Sequence, residues 1–118
     1  MSQTFRQLQV WQRSKKLAVE IYRLTGRAPL ASDFGLRDQL RRAAVSVCSN
    51  IAEGDTRQTE KEAVPFFYIS KGSLAEVSAQ LEIAVEVPSL DQTDIDPLLK
   101  KCDELSAMLR SLINHRRA

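Results

Sequence analysis

Residues 36–54 (LRDQLRRAAVSVCSNIAEG) constrain this chain more than any other stretch, because their polar side chains fit on one line of a helix. Gln39, Arg42, Ser46, Asn50 and Glu53 follow one another at steps of 3, 4, 4 and 3, which places them on a single stripe. Leu36, Leu40, Ala43, Ala44, Val47, Cys48, Ile51 and Ala52 fill most of the remaining surface. A helix so wrapped in small and aliphatic residues is expected to be largely buried. One short bundle has little room to enclose such a helix, so the pattern points to neighbouring subunits that complete its cover.

Three further helices account for nearly all the rest. The first is expected from near Leu8 to near Thr25, with Val10, Leu17, Ile21 and Leu24 as its inward row, Trp11, Ala18 and Tyr22 widening that apolar face, and Gly26 and Pro29 as its stop. Asp33 is placed to cap the second helix, and Gly54 to end it in the left-handed conformation. Thr59-Glu60-Lys61-Glu62 fits a capping box that opens the third helix. Pro65 lacks the amide proton that would bond back to Lys61, so two alternatives stand: a start displaced to about Val64, or a kinked first turn. Phe67, Ser70, Leu74, Val77, Leu81 and Ala84 then keep the helical step until Pro88. The fourth helix is expected from Asp94 or Asp96, with Ile95, Leu98, Cys102, Leu105, Leu109 and Leu112 as its seam. No β pattern competes. Short connections favour antiparallel neighbours, which makes the expected fold an all-α, up-and-down antiparallel four-helix bundle, a single domain over residues 1–118.

The chain's 118 residues, 43% hydrophobic and 27% charged, suffice for a core without metal or disulfide staples. Cys48 and Cys102 form no C-x-x-C pair and fall on apolar helical faces, so both are expected to be free. The absence of a signal-like or membrane-spanning run leads to a cytoplasmic expectation. A net charge of +2 hides an asymmetry: residues 1–58 carry 10 Lys or Arg against 5 Asp or Glu, and residues 59–118 carry 7 against 10. Such a division suits an anion-binding surface, or basic and acidic halves of adjacent subunits that face each other.

The search for catalytic chemistry is negative. His115 is the single histidine and stands beside Arg116 and Arg117 at a terminus expected to fray, which leaves no His-based triad and no multi-histidine metal site. Di-iron bundles use Glu-x-x-His pairs, and none is present. Glu76, Asp103 and Glu104 read as solvated carboxylates, and the glycines stand singly rather than in a phosphate loop. No cofactor, metal or enzymatic activity is expected. Gly72, inside the third helix, is read as a point of close helix packing rather than a ligand contact. The polar stripe of the second helix is read as a structural network, with Asn50 or Ser46 bonded to backbone groups and Glu53 paired with Arg42 or Arg57. Its competing reading is the lining of a groove.

The run Gln39 to Gly54, with Leu8-Gln9-Val10-Trp11-Gln12 upstream and Lys71-Gly72-Ser73-Leu74-Ala75-Glu76 downstream, resembles the four-helix bundle proteins named for open reading frames in intervening sequences of bacterial 23S rRNA. Cys48 and Pro65 depart from the pattern. The resemblance implies a ring-like homopentamer. It also implies kinship with the accessory protein of diversity-generating retroelements, which works with a reverse transcriptase and binds nucleic acid through a basic surface.

Two function classes follow. In the first, a stripe of Arg13, Lys16, Arg23 and Arg27 on the first helix, supported by Arg37, Arg41 and Arg57, meets the phosphates of RNA or DNA. In the second, the oligomer is a protein-interaction module and the stripe only solvates it. Trp11 and Tyr22 fall with the apolar face rather than among the arginines, so any binding is expected to be backbone-directed, without base stacking.

Overall fold

A computed structural model describes residues 4–87 and 91–117. Four helices run α1 (Gln9–Thr25), α2 (Phe34–Asp55), α3 (Glu60–Glu86) and α4 (Gln92–Arg117), with short 3-10 turns at Phe5–Gln7 and Leu30–Ser32 and no strand among the described residues. Partners across the helices fix the topology. Gln39 meets Gln80, Arg42 meets Glu76 and Ser46 meets Ser73, so α2 and α3 run antiparallel. Glu20 with Lys101 sets α4 beside α1 and closes the bundle. The expected inward rows are inside, with one exception: Val10, Leu17, Ile21 and Leu24 of α1, Phe67, Ser70, Leu74, Val77, Leu81 and Ala84 of α3, and Ile95, Leu98, Cys102, Leu105 and Leu109 of α4 are buried, whereas Leu112 is half-buried and Ile113 beside it is buried instead.

The helix ends follow local chemistry. The Asp33 carboxylate accepts from the Leu36 amide at 3.2 Å and caps α2. The Thr59 hydroxyl accepts from the Glu62 amide at 3.2 Å and donates to the Glu62 carboxylate at 2.9 Å. That cap holds the start of α3 at Glu60 despite Pro65, which the helix carries in its second turn. Of the two alternatives for Pro65, the displaced start is thereby removed. The fourth helix begins earlier than Asp94: the Asp91 side chain accepts from the Thr93 amide at 2.9 Å, a bond that holds this carboxyl below its ordinary range. Pro97 is tolerated inside α4, near its start. Pro88, the expected terminator of α3, lies outside the described residues.

Two glycines have roles other than those expected of them. Gly54 is not a left-handed cap, for no described glycine has positive φ and α2 continues to Asp55. A Cβ there would stand 2.8 Å from the Phe67 ring and 3.1 Å from the Ala63 carbonyl oxygen, so Gly54 is a point of close approach between α2 and α3. Gly72 is the reverse. A Cβ there would meet nothing within 4 Å, and the residue lies on the exposed face of α3. The expectation of fraying also fails at the C-terminus. Arg116, with only 18% of its side chain exposed, bonds Asp55 at 2.7 Å and Glu60 at 3.2 Å, pinning the end of α4 to the α2–α3 turn.

The second helix is less enclosed than its composition suggests. Leu40, Ala43, Ala44, Val47 and Ile51 are buried within the single chain, whereas Leu36, Cys48 and Ala52 are half-buried and Val45 is 41% exposed. One bundle therefore covers most of α2 because α1 and α3 grip it from two sides, and the uncovered remainder is a narrow outer strip.

Replacing Gly54 by alanine is expected to cost about 1–3 kcal/mol through overpacking against Phe67. Gly35→Ala, where nothing lies within 4 Å of the new methyl, is expected to leave stability unchanged or raise it by up to about 1 kcal/mol. Urea unfolding of the two variants checks the contrast, and equal midpoints would contradict it.

Candidate nucleic-acid interface

The seven cations singled out by sequence fall into two groups. Arg37, Arg41 and Arg57 are engaged in the fold. Arg37 pairs with Asp38 at 2.8 Å and donates to the Ala31 carbonyl. Arg41 donates to the Thr25 hydroxyl at 2.8 Å and to the Tyr22 carbonyl at 3.4 Å, and its guanidinium stands 4.5 Å from the Tyr22 ring centroid. A cation at the carbonyl end of α1 is favoured by the helix dipole, so Arg41 works as a C-terminal clamp. Arg57 pairs with Glu53 and lies over Phe66.

Arg13, Lys16, Arg23 and Arg27 make no ion pair among the described residues. Their local competitor is Glu20, the single carboxylate of α1. Both Glu20 oxygens accept from the Lys101 ammonium at 2.7 Å, which turns that carboxylate toward α4. The stripe is nevertheless uneven. Arg13 and Lys16 share a groove of about 380 Å³ with Glu20 and Glu104, while Arg23 and Arg27 share another with Asp94. Its α4 flank is thus edged with carboxylates.

The outer flank of α1 has fewer: a broad concavity there is lined by Arg6, Arg13, Lys15, Lys16, Arg23 and Trp11, with Glu20 as its one carboxylate. Phe5, in the 3-10 turn, meets Trp11 edge to face with centroids 5.0 Å apart, Arg6 lies over Phe5 and the Lys15 ammonium is 5.6 Å from the Trp11 centroid. Tyr22 is 46% exposed. The expected separation of aromatics from cations holds only in part: Trp11 packs against the core as expected, but Tyr22 is exposed, and Lys15 and Arg41 stand over the two rings. Sequence reasoning missed Arg6 and Lys15, although their spacing from Trp11 was available; what it lacked was the turn that folds Phe5 back.

The polar stripe of α2 lies along the crease with α3. The Ser46 and Ser73 hydroxyls are 2.8 Å apart, the Asn50 amide donates to the Ser46 carbonyl at 2.9 Å, and Arg42 reaches Glu76 at 3.4 Å. Gln80 donates to Gln39 at 3.4 Å. Glu53 pairs with Arg57 rather than Arg42, on the open surface. The stripe is a helix-to-helix network over most of its length.

Among the described residues, no group of three or more His, Cys, Asp and Glu is placed to hold a metal ion. Burial pushes the thiols of Cys48 and Cys102 up, which keeps both protonated at neutral pH. No described helix is long and apolar enough to cross a membrane.

Residues 6–111 match the model of the family described as 23S rRNA-intervening sequence protein. The chain belongs to that family. Its fold is also similar to the crystal structure of a protein of unknown function from the S23 ribosomal protein family of Bacteroides thetaiotaomicron VPI-5482, with a TM-score of 0.80 and 20% identity over 88% of this chain and 97% of that one. At that identity the likeness shows the fold alone. Among functionally curated proteins, no sequence matches this chain. In this family member the division of the arginines is testable. Arg41→Ala is expected to lower stability by about 1–2 kcal/mol, because its charged hydrogen bonds to α1 are lost. Arg23→Ala, without a partner, is expected to change it by less than about 0.5 kcal/mol. Thermal melts of the two variants check this, and a larger loss at Arg23 would contradict it.

Proposed function

We propose that the protein is a non-enzymatic, oligomeric bundle that binds nucleic acid through the phosphate backbone. The observation that carries the reading is the surface of α1 and of the turn after it, where Arg13, Lys16, Arg23 and Arg27 have no ion-pair partner among the described residues and Glu20 is drawn away by Lys101. Each phosphate neutralised by such a cation releases condensed counterions, and that release drives binding without reading sequence.

Oligomerisation, in a pentamer as the resemblance implies, is supported by apolar residues that the single chain leaves bare. Ile69 and Ile83 of α3 are 51% and 56% exposed, and Gly72, Glu76 and Ala79 lie between them on the same helical line, with Glu76 held by Arg42. A second copy covering that line would repeat the cationic surface, and weak contacts would then add through multivalency. The same isoleucines favour the competing reading, a protein-interaction module whose stripe serves solubility.

Binding to a labelled RNA and a labelled DNA is expected to weaken steeply as salt rises from 50 to 200 mM. The combined variant Arg13→Glu, Arg23→Glu and Arg27→Glu is expected to lose binding to every sequence alike while melting like the parent, since these residues lie opposite the buried row of α1. Fluorescence anisotropy gives the affinity, and sedimentation on the same samples gives the oligomeric state. Failure of the parent to bind either nucleic acid at low salt would favour the protein-interaction module, and a stable 13.3 kDa monomer at micromolar concentrations would defeat the oligomer.

A further inference from the structure

We infer that the ligand of this surface is single-stranded nucleic acid, with an unpaired base stacked at Trp11. The inference rests on the nucleic-acid reading above and adds the class of strand and the residue that selects it.

The cations of α1 are not equally available to a polyanion. On the α4 flank, Glu20 and Glu104 stand in the groove with Arg13 and Lys16, and Asp94 stands beside Arg23 and Arg27, so a phosphate chain laid there meets repulsion as well as attraction. On the outer flank, Arg6, Arg13, Lys15, Lys16 and Arg23 line one concavity of about 900 Å³ with Glu20 as its single carboxylate; Arg13 and Lys16 border both grooves, and both Glu20 oxygens are held by Lys101. The favourable potential therefore lies over the outer flank.

That flank also holds an aromatic ring where a duplex has no use for one. Trp11, Lys15, Val19 and Tyr22 follow at steps of 4, 4 and 3 and share a face of α1. Trp11 is half-buried: its ring packs against the core and is braced by the edge of Phe5, which fixes its orientation. The Lys15 ammonium beside it sits at the end of a flexible stem on an exposed side chain, and is free to move from the ring to a phosphate. A braced ring among unpaired cations is the combination that binds single strands, in which bases stack on the aromatic and the backbone follows the positive groove. A duplex keeps its bases stacked on each other and offers this surface phosphates alone.

Trp11 is the one tryptophan of the chain, so its emission reports on this site and no other. The intact oligomer is titrated at low salt with a twelve-nucleotide oligo(dT), with a twelve-base-pair duplex and with polyglutamate. Oligo(dT) is expected to bind more tightly than the duplex and to quench Trp11 emission saturably, whereas the duplex leaves the emission unchanged. Trp11→Leu, checked for helicity and oligomeric state, is expected to weaken oligo(dT) binding by roughly 5- to 100-fold and duplex binding by less than about twofold. Should Trp11→Leu fail to fold, Lys15→Gln and the parent's own emission decide. Equal affinity for both nucleic acids with unchanged Trp11 emission would overturn the single-strand inference and leave the nucleic-acid reading standing. No binding of either nucleic acid would overturn both, as would polyglutamate binding more tightly than oligo(dT), which would assign the surface to an acidic protein segment.

Discussion

The close approach of α2 to α3 is the constraint on which the rest of the bundle depends. Gly54 lets the end of α2 rest on the Phe67 ring, the Ser70 hydroxyl donates to the Val47 carbonyl at 2.6 Å, and Ser46 meets Ser73 at 2.8 Å. Small residues bring the two backbones together, and their hydroxyls satisfy polar groups that the approach removes from water. Arg116 then ties the end of α4 to both sides of the α2–α3 turn, and Arg41 ties α2 back to the carbonyl end of α1. Each outer helix is thus referenced to the central pair.

The same economy explains why the arginines divide as they do. Those that fold the protein sit where a carbonyl terminus, a hydroxyl or a carboxylate is within reach of a planar donor set. Those left on the outer faces of α1 have one carboxylate in their helix, and Lys101 holds it from across the bundle. An ion pair between half-exposed side chains adds little stability. Its larger consequence is electrostatic: by orienting Glu20 toward α4, it leaves the outer flank of α1 positive.

The inner rows of α1, α3 and α4 were legible in the sequence, because burial on a helix imposes a 3.6-residue period that Val10–Leu24, Phe67–Ala84 and Ile95–Leu109 obey. The caps at Asp33 and Thr59 were legible as well, since their side chains act within three residues. What depended on distant partners was not. Gly54 is a packing contact rather than a cap, and Gly72 an exposed position rather than a contact, because a glycine's use is set by what faces it from another helix, and nothing local to either position says so. Arg116 looked like part of a fraying terminus because its partners, Asp55 and Glu60, lie more than fifty residues away. The candidate site was half legible: the period showed the cationic stripe, but its sharing between structural and unpaired arginines, and the aromatics beside it, required the folded arrangement.

The likeness to the Bacteroides thetaiotaomicron protein, at 20% identity and a TM-score of 0.80, bears on how far function can be carried within such a fold. An up-and-down bundle constrains the inward positions to apolar residues of suitable volume and leaves the outward positions almost unconstrained. Apart from Trp11, the surface considered for binding is built from outward residues of α1 and of the short turns at its two ends. It can change its charge or its aromatics without disturbing Val10, Leu17, Ile21 or Leu24, all of which are buried. Trp11 alone belongs to both worlds, packed on the core by one part of its ring and offered to the cationic concavity by another. Membership in the family therefore speaks for the interior of this chain, and the exterior of α1 has to speak for what it binds.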